Sequence, residues 1–162
     1  MRQKHILLID DDVFITQALK AHLENKGYRI TVTETCREGK HVLRGAMKVD
    51  LLILDYLLPD GHGTELLKSM ADEVSLQRPF VIISSSLLDA ANSAWEVLRK
   101  RLPDAIQTLI QGYVNKPYPL EQMDAAVEAL LEEKSADAKE ILSGDYHLRS
   151  NPAPHVKTSE PK

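Results

Sequence analysis

Five short apolar runs, each followed by a stretch whose apolar residues recur at helical spacing, constrain this chain more tightly than any other feature. The runs are Ile6 to Ile9, Arg29 to Thr33, Val49 to Leu54, Phe80 to Ile83 and Tyr113 to Asn115. Strands that alternate with helices in this way form a parallel sheet with helices packed on its faces. The first helix is expected from Val13, with Ile15, Ala18, Leu19 and Leu23 on one face and Gly27 closing it. Thr35 and Glu38 have the spacing of a capping box, so a second helix begins there and ends by Gly45. The turn-rich segment Pro59-Asp60-Gly61-His62-Gly63 precedes a short helix carrying Leu66, Leu67 and Met70. Pro119 suits the first turn of a last helix, whose buried stripe is Leu120, Met123, Val127, Leu130 and Leu131.

Between the fourth and fifth runs the chain is long enough for two helices, because Pro103 interrupts a stretch that is periodic on both sides. Trp95, Leu98 and Leu102 mark the first, and Ile106, Leu109 and Ile110 mark the second, which should stop at Gly112. A short helix over residues 135–143, capped by Ser135 and ended by Gly144, is expected before a polar, proline-rich tail from Asn151 to Lys162. The expected organisation is one domain over 1–134 and an extension over 135–162, the tail being disordered.

Composition excludes several classes. The formal charge is -4, from 20 basic and 24 acidic residues interspersed along the chain, which gives no basic footprint for nucleic acid and no cationic face for lipid. Cys36 is the single cysteine, so neither an internal disulfide nor a cysteine metal cage can form. It sits at a helix start, where a thiol pKa can fall, but a redox role lacks a partner residue. The first apolar run spans four residues, too short for a signal peptide or a membrane span, so a cytoplasmic protein is expected.

In a parallel sheet of this kind ligands bind beyond the carboxyl ends of the strands. The first run ends in Asp10-Asp11-Asp12, the third in Asp55, the fourth in Ser84-Ser85-Ser86 and the fifth in Lys116-Pro117. Carboxylates, a hydroxyl and an ammonium therefore converge on one edge. Each has a use in phosphoryl transfer, where catalysis is mostly positioning and neutralisation of charge. Clustered carboxylates stay ionised at neutral pH when a cation joins them, and magnesium, a hard ion, favours oxygen ligands. Asp55 stands alone after the central strand and is the best candidate nucleophile toward phosphorus, with the metal, Ser84 and Lys116 left to hold the phosphoryl oxygens.

The segments ILLIDDDV, LLILDYLLPDGHG, PFVIISSS and GYVNKPY, in this order, resemble the receiver domain of two-component response regulators, from Lys4 to about Glu133. The resemblance implies a flavodoxin-like, doubly wound sheet of five parallel strands in the order 2-1-3-4-5 with helices on both faces. It implies Asp10 and Asp11 as the acidic pair, Asp55 as phosphoacceptor, Ser84 as switch hydroxyl, Tyr113 as switch aromatic and Lys116 as the phosphate-binding lysine. Asp11, Asp55 and the backbone carbonyl of Leu57 would hold Mg2+, with Asp10 beside them, and Lys116-Pro117 would be a cis peptide. Ser85, Ser86 and Pro117 would adjoin the phosphate. The donor would be a phosphohistidine on a histidine kinase or a histidine phosphotransfer protein. Phosphorylation would draw Ser84 toward the phosphate and let Tyr113 turn inward, switching a protein-binding surface. The chain would catalyse only its own modification and its reversal, and so is not an enzyme on outside substrates.

The segment from Ser84 to Lys116 is longer than the family's usual, which places an extra helix in the region most receivers use to dimerise or dock, and predicts a remodelled partner surface around Trp95 to Ile110. No output domain is expected in the 28 residues from Ser135 onward, so the signal leaves by contact with a downstream protein, and a homodimer stays open. Of the remaining residues, Asp12 reads as a helix cap, His62 as a solvated loop residue, and Leu57 as an apolar neighbour that hinders water attacking the Asp55 phosphate. Two rival readings stand. Asp10-Asp11-Asp12-Val13 also matches the Asp-x-Asp-x-Val nucleophile motif of haloacid-dehalogenase-type phosphatases, with Asp10 and Asp12 as the working pair. That fold needs a later acidic pair at a strand end, where this chain has only the helix-borne Glu121 and Asp124. The other rival is a pseudo-receiver, a binding module that signals without phosphate.

Overall fold

The computed structural model of the chain describes residues 2–86, 97 and 99–132. Strand β1 (His5–Ile9), helix α1 (Val13–Asn25), strand β2 (Arg29–Thr33), helix α2 (Cys36–Arg44) and strand β3 (Leu51–Asp55) lead into a two-residue ladder of β4 (Leu57–Leu58) and β5 (Gly61–His62). Helix α3 (Gly63–Asp72), strand β6 (Phe80–Ser85), the single turn α4 (Asp104–Gln107), strand β7 (Ile110–Asn115) and helix α5 (Leu120–Leu131) follow. Five strands form one parallel sheet in the order β2-β1-β3-β6-β7, which is the expected 2-1-3-4-5 once the small antiparallel ladder is set apart.

The sheet separates two cores, and alternation along each strand decides which residue enters which. Leu7, Ile9, Leu52, Leu54, Val81 and Ile83 face α2, α3 and α4, where they meet Leu43, Leu66, Leu67, Met70 and Ile106. Ile6, Leu8, Leu51, Ile53, Ile82 and Val114 face α1 and α5, against Leu19, Leu23, Met123, Ala126 and Val127. Both faces of β1, β3 and β6 are thus covered, which is why those runs read as unbroken apolar segments.

Local signals explain most element ends. Helix α1 stops in a Schellman arrangement: the Gly27 N–H donates to Glu24 and the Tyr28 N–H to Leu23, with Gly27 at φ 92°, a left-handed value that favours glycine. At α2 the Thr35 hydroxyl accepts the Glu38 N–H, while the Glu38 carboxylate reaches one residue further back, to the Glu34 N–H. On α1 the buried residues are Leu19, Leu23 and Thr16, whereas Ala18 is exposed, so the apolar face is narrower than the spacing predicts. Gly39 lets α2 lie directly on β1, since a Cβ there would come within 2.1 Å of Ile9 Cδ1.

Three expectations are corrected. The central strand begins at Leu51, because the Val49 N–H is taken by the Gln77 side chain and Asp50 bonds to His5 across the strand end. The helix expected to reach Gly112 is one turn, Asp104–Gln107, and Ile110 already belongs to β7. The register shifts between Val81 and Ile82, and the Gln111 side chain accepts the Val81 N–H at 2.7 Å, which supplies the strand with the bond that a helical reading misses. Ile106 and Ile110 are each 5% exposed and Leu102 packs against the same core, so these side chains drop out of the surface expected around Trp95 to Ile110, while Pro103, Asp104, Ala105 and Thr108 are exposed. Trp95, Leu98, the helix expected over 135–143 and the tail lie outside the described residues. Among the described residues no helix is long and apolar enough to cross a membrane.

Candidate functional site

The chemistry-bearing residues leave the sheet on one face because their positions share parity with one core. Asp10 continues the Ile6, Leu8 side of β1, Asp55 the Leu51, Ile53 side of β3, Ser84 the Ile82 side of β6, and Lys116 the Val114 side of β7. Asp55 and Ser84 are cross-strand partners, and the Tyr56 N–H donates to the Ser84 carbonyl at 3.2 Å, so the two strand ends are locked side by side.

Lys116 closes the group. Its Nζ lies 2.5 Å from Asp10 Oδ2 and 3.1 Å from Asp55 Oδ2, and its side chain is 8% exposed. Burial pulls the Lys116 pKa down, but Asp10 and Asp55 more than reverse this, and the net shift is upward. Burial is also the largest influence on Asp55, raising its pKa; the repulsion of Asp10 adds to this and Lys116 opposes it. Asp10, Asp11 and Asp55 offer oxygens that all lie within 4.8 Å of one another. Three carboxylates and one ammonium leave surplus negative charge in a partly dry pocket, which fits a hard divalent cation. Asp11 is exposed, so the acidic group opens to solvent on one side.

Above Asp55 lies a cavity of about 530 Å³ lined by Asp11, Asp12, Ile15, Leu57, Ser86, Lys116 and Pro117. Ser86 lines it and Ser85 does not: Ser85 is 1% exposed and follows the opposite parity, on the side of Tyr113. The expectation that Ser85 and Ser86 stand equally beside the site is corrected accordingly. Leu57 is 41% exposed at the cavity rim, and its N–H points to Asp55 Oδ1 at 3.4 Å. The Lys116-Pro117 peptide is cis.

Tyr113 lies on the other face of β7, already turned inward at 4% exposure, with its hydroxyl donating to the Asn115 side chain and, at 3.5 Å, to the Ser85 carbonyl. Asp12 caps α1, its carboxylate accepting the Phe14 and Ile15 N–H groups at 3.0 and 3.1 Å. That carboxylate is committed to the helix, which removes the second member of the phosphatase pair, while Asp10 is buried against Lys116. His62 is exposed, as expected of a solvated residue, and its ring leans toward that of Tyr56 with centroids 5.1 Å apart and planes tilted by 33°. The Cys36 thiol is pushed up to about 11 by burial and by Asp60 and Glu65, the reverse of an activated thiol.

Two features were not read from the sequence. Asp60 reaches from the loop after Asp55 to accept the Cys36 and Arg37 N–H groups at 2.9 and 3.0 Å, tying that loop to the start of α2. The Asp60-Gly61 pair signalled only a turn, and nothing in it names a partner two dozen residues away. Gly63 sits so close to the end of β3 that a Cβ would lie 2.4 Å from the Asp55 carbonyl oxygen.

The family model for the response regulator receiver domain matches residues 6–128. The chain belongs to the receiver family. This receiver is 26% identical over 142 residues to the virulence transcriptional regulatory protein PhoP of Salmonella choleraesuis, covering 85% of this chain and 56% of that protein. It is 33% identical over 131 residues to the transcriptional activator protein PfeR of Pseudomonas aeruginosa, covering 78% of this chain and 37% of that one. Among solved structures, a two-component response regulator from Clostridium difficile matches with a TM-score of 0.64 and 28% identity, over 81% of this receiver and 98% of that chain. The receiver thus spans about half or less of the length of these curated relatives, and covers nearly all of that solved chain.

Proposed function

We propose that this receiver takes a phosphoryl group from a phosphohistidine donor onto Asp55 and uses it to switch a protein-binding surface in two-component signalling. The observation that carries this reading is the shared lysine: one buried ammonium holds Asp10 and Asp55 together at the end of the central strands. Asp55 is the carboxylate next to both Lys116 and Ser84, and so is the one whose attack can be answered by an ammonium and a hydroxyl at once.

In the step itself an Asp55 oxygen forms a bond to phosphorus as the bond from phosphorus to the donor imidazole breaks, and the electron pair leaves with the imidazole. Lys116 turns from the Asp55 oxygen to a phosphoryl oxygen while keeping its contact with Asp10. The Ser84 hydroxyl donates to a second oxygen. Asp10, Asp11 and Asp55, with the Leu57 carbonyl, would hold Mg2+, which when bound supplies charge neutralisation at the phosphoryl oxygens. The donor would be a histidine kinase or histidine phosphotransfer protein. The chain would act on itself alone, in the cytoplasm, and pass its signal to a downstream protein.

Incubation with acetyl phosphate and magnesium, followed by intact mass and peptide mapping, tests the reading. One added phosphoryl group on Asp55, absent from Asp55→Asn, is expected. An unmodified wild type would favour a receiver that signals without phosphate.

A further inference from the structure

Tyr118 follows the Lys116-Pro117 turn, and its ring packs against the α1 and α5 core, on the face that carries Asp55 and Ser84. Its hydroxyl is buried, and so is that of Ser84, yet among the described residues neither makes a hydrogen bond of ordinary geometry. Two buried hydroxyls without partners are costly, and each calls for an explanation. They are near neighbours: β6 and β7 pair as far as Ser85 and Asn115, and the Lys116 N–H donates to the Ser85 carbonyl at 2.9 Å, two residues before Tyr118. Burial raises the Tyr118 pKa, the Ser84 hydroxyl is the first influence that lowers it, and the charges of Lys116, Asp10 and Asp55 follow. Tyr118 is therefore a neutral phenol that can donate, directed into the same group of residues as the switch hydroxyl.

We infer that Tyr118 is a positioning residue for Ser84: its O–H donates to Ser84 Oγ when Ser84 turns its own O–H toward the phosphoryl group on Asp55. The inference rests on Asp55 as phosphoacceptor and deepens that reading by naming what orients the switch hydroxyl. A serine hydroxyl has one proton and two lone pairs, so donation to the phosphoryl oxygen leaves Oγ free to accept. The chain from Tyr118 through Ser84 to the phosphoryl oxygen polarises in one direction, and each bond strengthens the next. It also satisfies both orphaned hydroxyls in one movement, which biases Ser84 toward the phosphoryl-facing position. Tyr113 cannot do this, since it lies on the opposite face of the sheet and bonds to Asn115.

Beryllofluoride, a phosphoryl mimic that binds the aspartate carboxylate, is the probe. Titration with magnesium present is compared for wild type, Tyr118→Phe, Ser84→Ala and the double variant, with the melting temperature of each measured without the probe. Tyr118→Phe is expected to melt at or above the wild-type temperature, because an unsatisfied hydroxyl is gone, and to bind beryllofluoride about five- to tenfold more weakly, the worth of one hydrogen bond. In the Ser84→Ala background the same substitution should change the affinity by less than about twofold. Wild-type affinity in Tyr118→Phe, or an equal loss in both backgrounds, would overturn the inference. If acetyl phosphate leaves wild-type Asp55 unmodified and beryllofluoride does not bind, the phosphoacceptor reading fails and this one fails with it; phosphorylation that is indifferent to Tyr118 sinks only the latter.

Discussion

Lys116 stands between Asp10 and Asp55, with its ammonium 2.5 Å from the first and 3.1 Å from the second. One positive charge thus serves two buried carboxylates, with a third, Asp11, within reach. Burial raises the Asp55 pKa and the repulsion of Asp10 adds to it, and the shared Lys116 offsets them only in part. A raised carboxyl pKa means that the ionised form is penalised in the fold at neutral pH. Asp55→Asn should therefore raise the melting temperature in chelator by a few degrees, the scale of about 1 kcal/mol for a domain of this size. Magnesium should raise that of wild type by several degrees and leave the variant nearly unmoved. A variant that melts below wild type in chelator would contradict the charge argument.

Gly39 and Gly63 each stand where a Cβ would collide, but with different neighbours. At Gly39 the obstacle is the Ile9 side-chain tip, and at Gly63 it is the Asp55 carbonyl oxygen. A methyl-bearing tip can change rotamer, whereas the carbonyl moves only if Asp55 moves with it. Both alanine variants should lose stability, roughly 1 to 3 kcal/mol in denaturant melts. Only Gly63→Ala should also slow phosphorylation by acetyl phosphate, by about tenfold or more. Equal phosphorylation rates for the two variants would show that the loop adjusts without disturbing Asp55.

The Asp60 carboxylate supplies a pH-dependent fastening. Burial pushes its pKa up, but the N–H groups of Arg37 and Cys36 more than reverse this, and the net shift is downward from 3.8. A depressed carboxyl pKa gives stability that is complete above the unfolded value and is lost as pH falls through the folded one. Asp60→Ala should cost roughly 0.5 to 1 kcal/mol at neutral pH, the range of an exposed helix-start carboxylate. That difference should shrink below about pH 4, where wild type loses the same interaction. Urea melts at neutral and acid pH measure it, and a difference that does not change with pH would assign the loss to packing.

Leu57 covers the rim of the cavity above Asp55 with an apolar side chain, where an incoming water would have to pass. Leu57→Asn offers that water a hydrogen-bonding partner. The half-life of the Asp55 phosphate should shorten by about three- to tenfold, the equivalent of about 1 kcal/mol in the barrier. Decay of labelled protein after removal of donor is the measurement. A half-life at or above wild type would show that Leu57 does not limit water.

The sheet and most of the site were legible because both depend on short-range patterns. Each strand announced itself as an apolar run, and each functional residue occupied the position next to the end of its run, so that topology alone brought Asp10, Asp55, Ser84 and Lys116 together. Ser85 was misplaced because chain proximity to Ser84 is not spatial proximity when side chains alternate. The helix predicted through Gly112 failed for a different reason: Ile106, Leu109 and Ile110 fit a helical period, but the Gln111 side chain joins the strand ladder, and one residue's long-range bond overrules a local pattern. Asp60 could not be found at all, since its partner Cys36 lies 24 residues away in sequence, and no spacing rule links a turn aspartate to another helix.

The shared parity of Asp10, Asp55, Ser84 and Lys116 also sets what kinds of change this chain can survive. A residue gained or lost in the loops is absorbed locally. One residue gained inside β3 would instead rotate Asp55 to the far side of the sheet and bring Leu54 to the pocket, exchanging a carboxylate for a hydrocarbon in a single step. Insertions and deletions should therefore be tolerated only in connections such as the long one between Ser84 and Lys116, which starts after one of these strand ends and closes before the next.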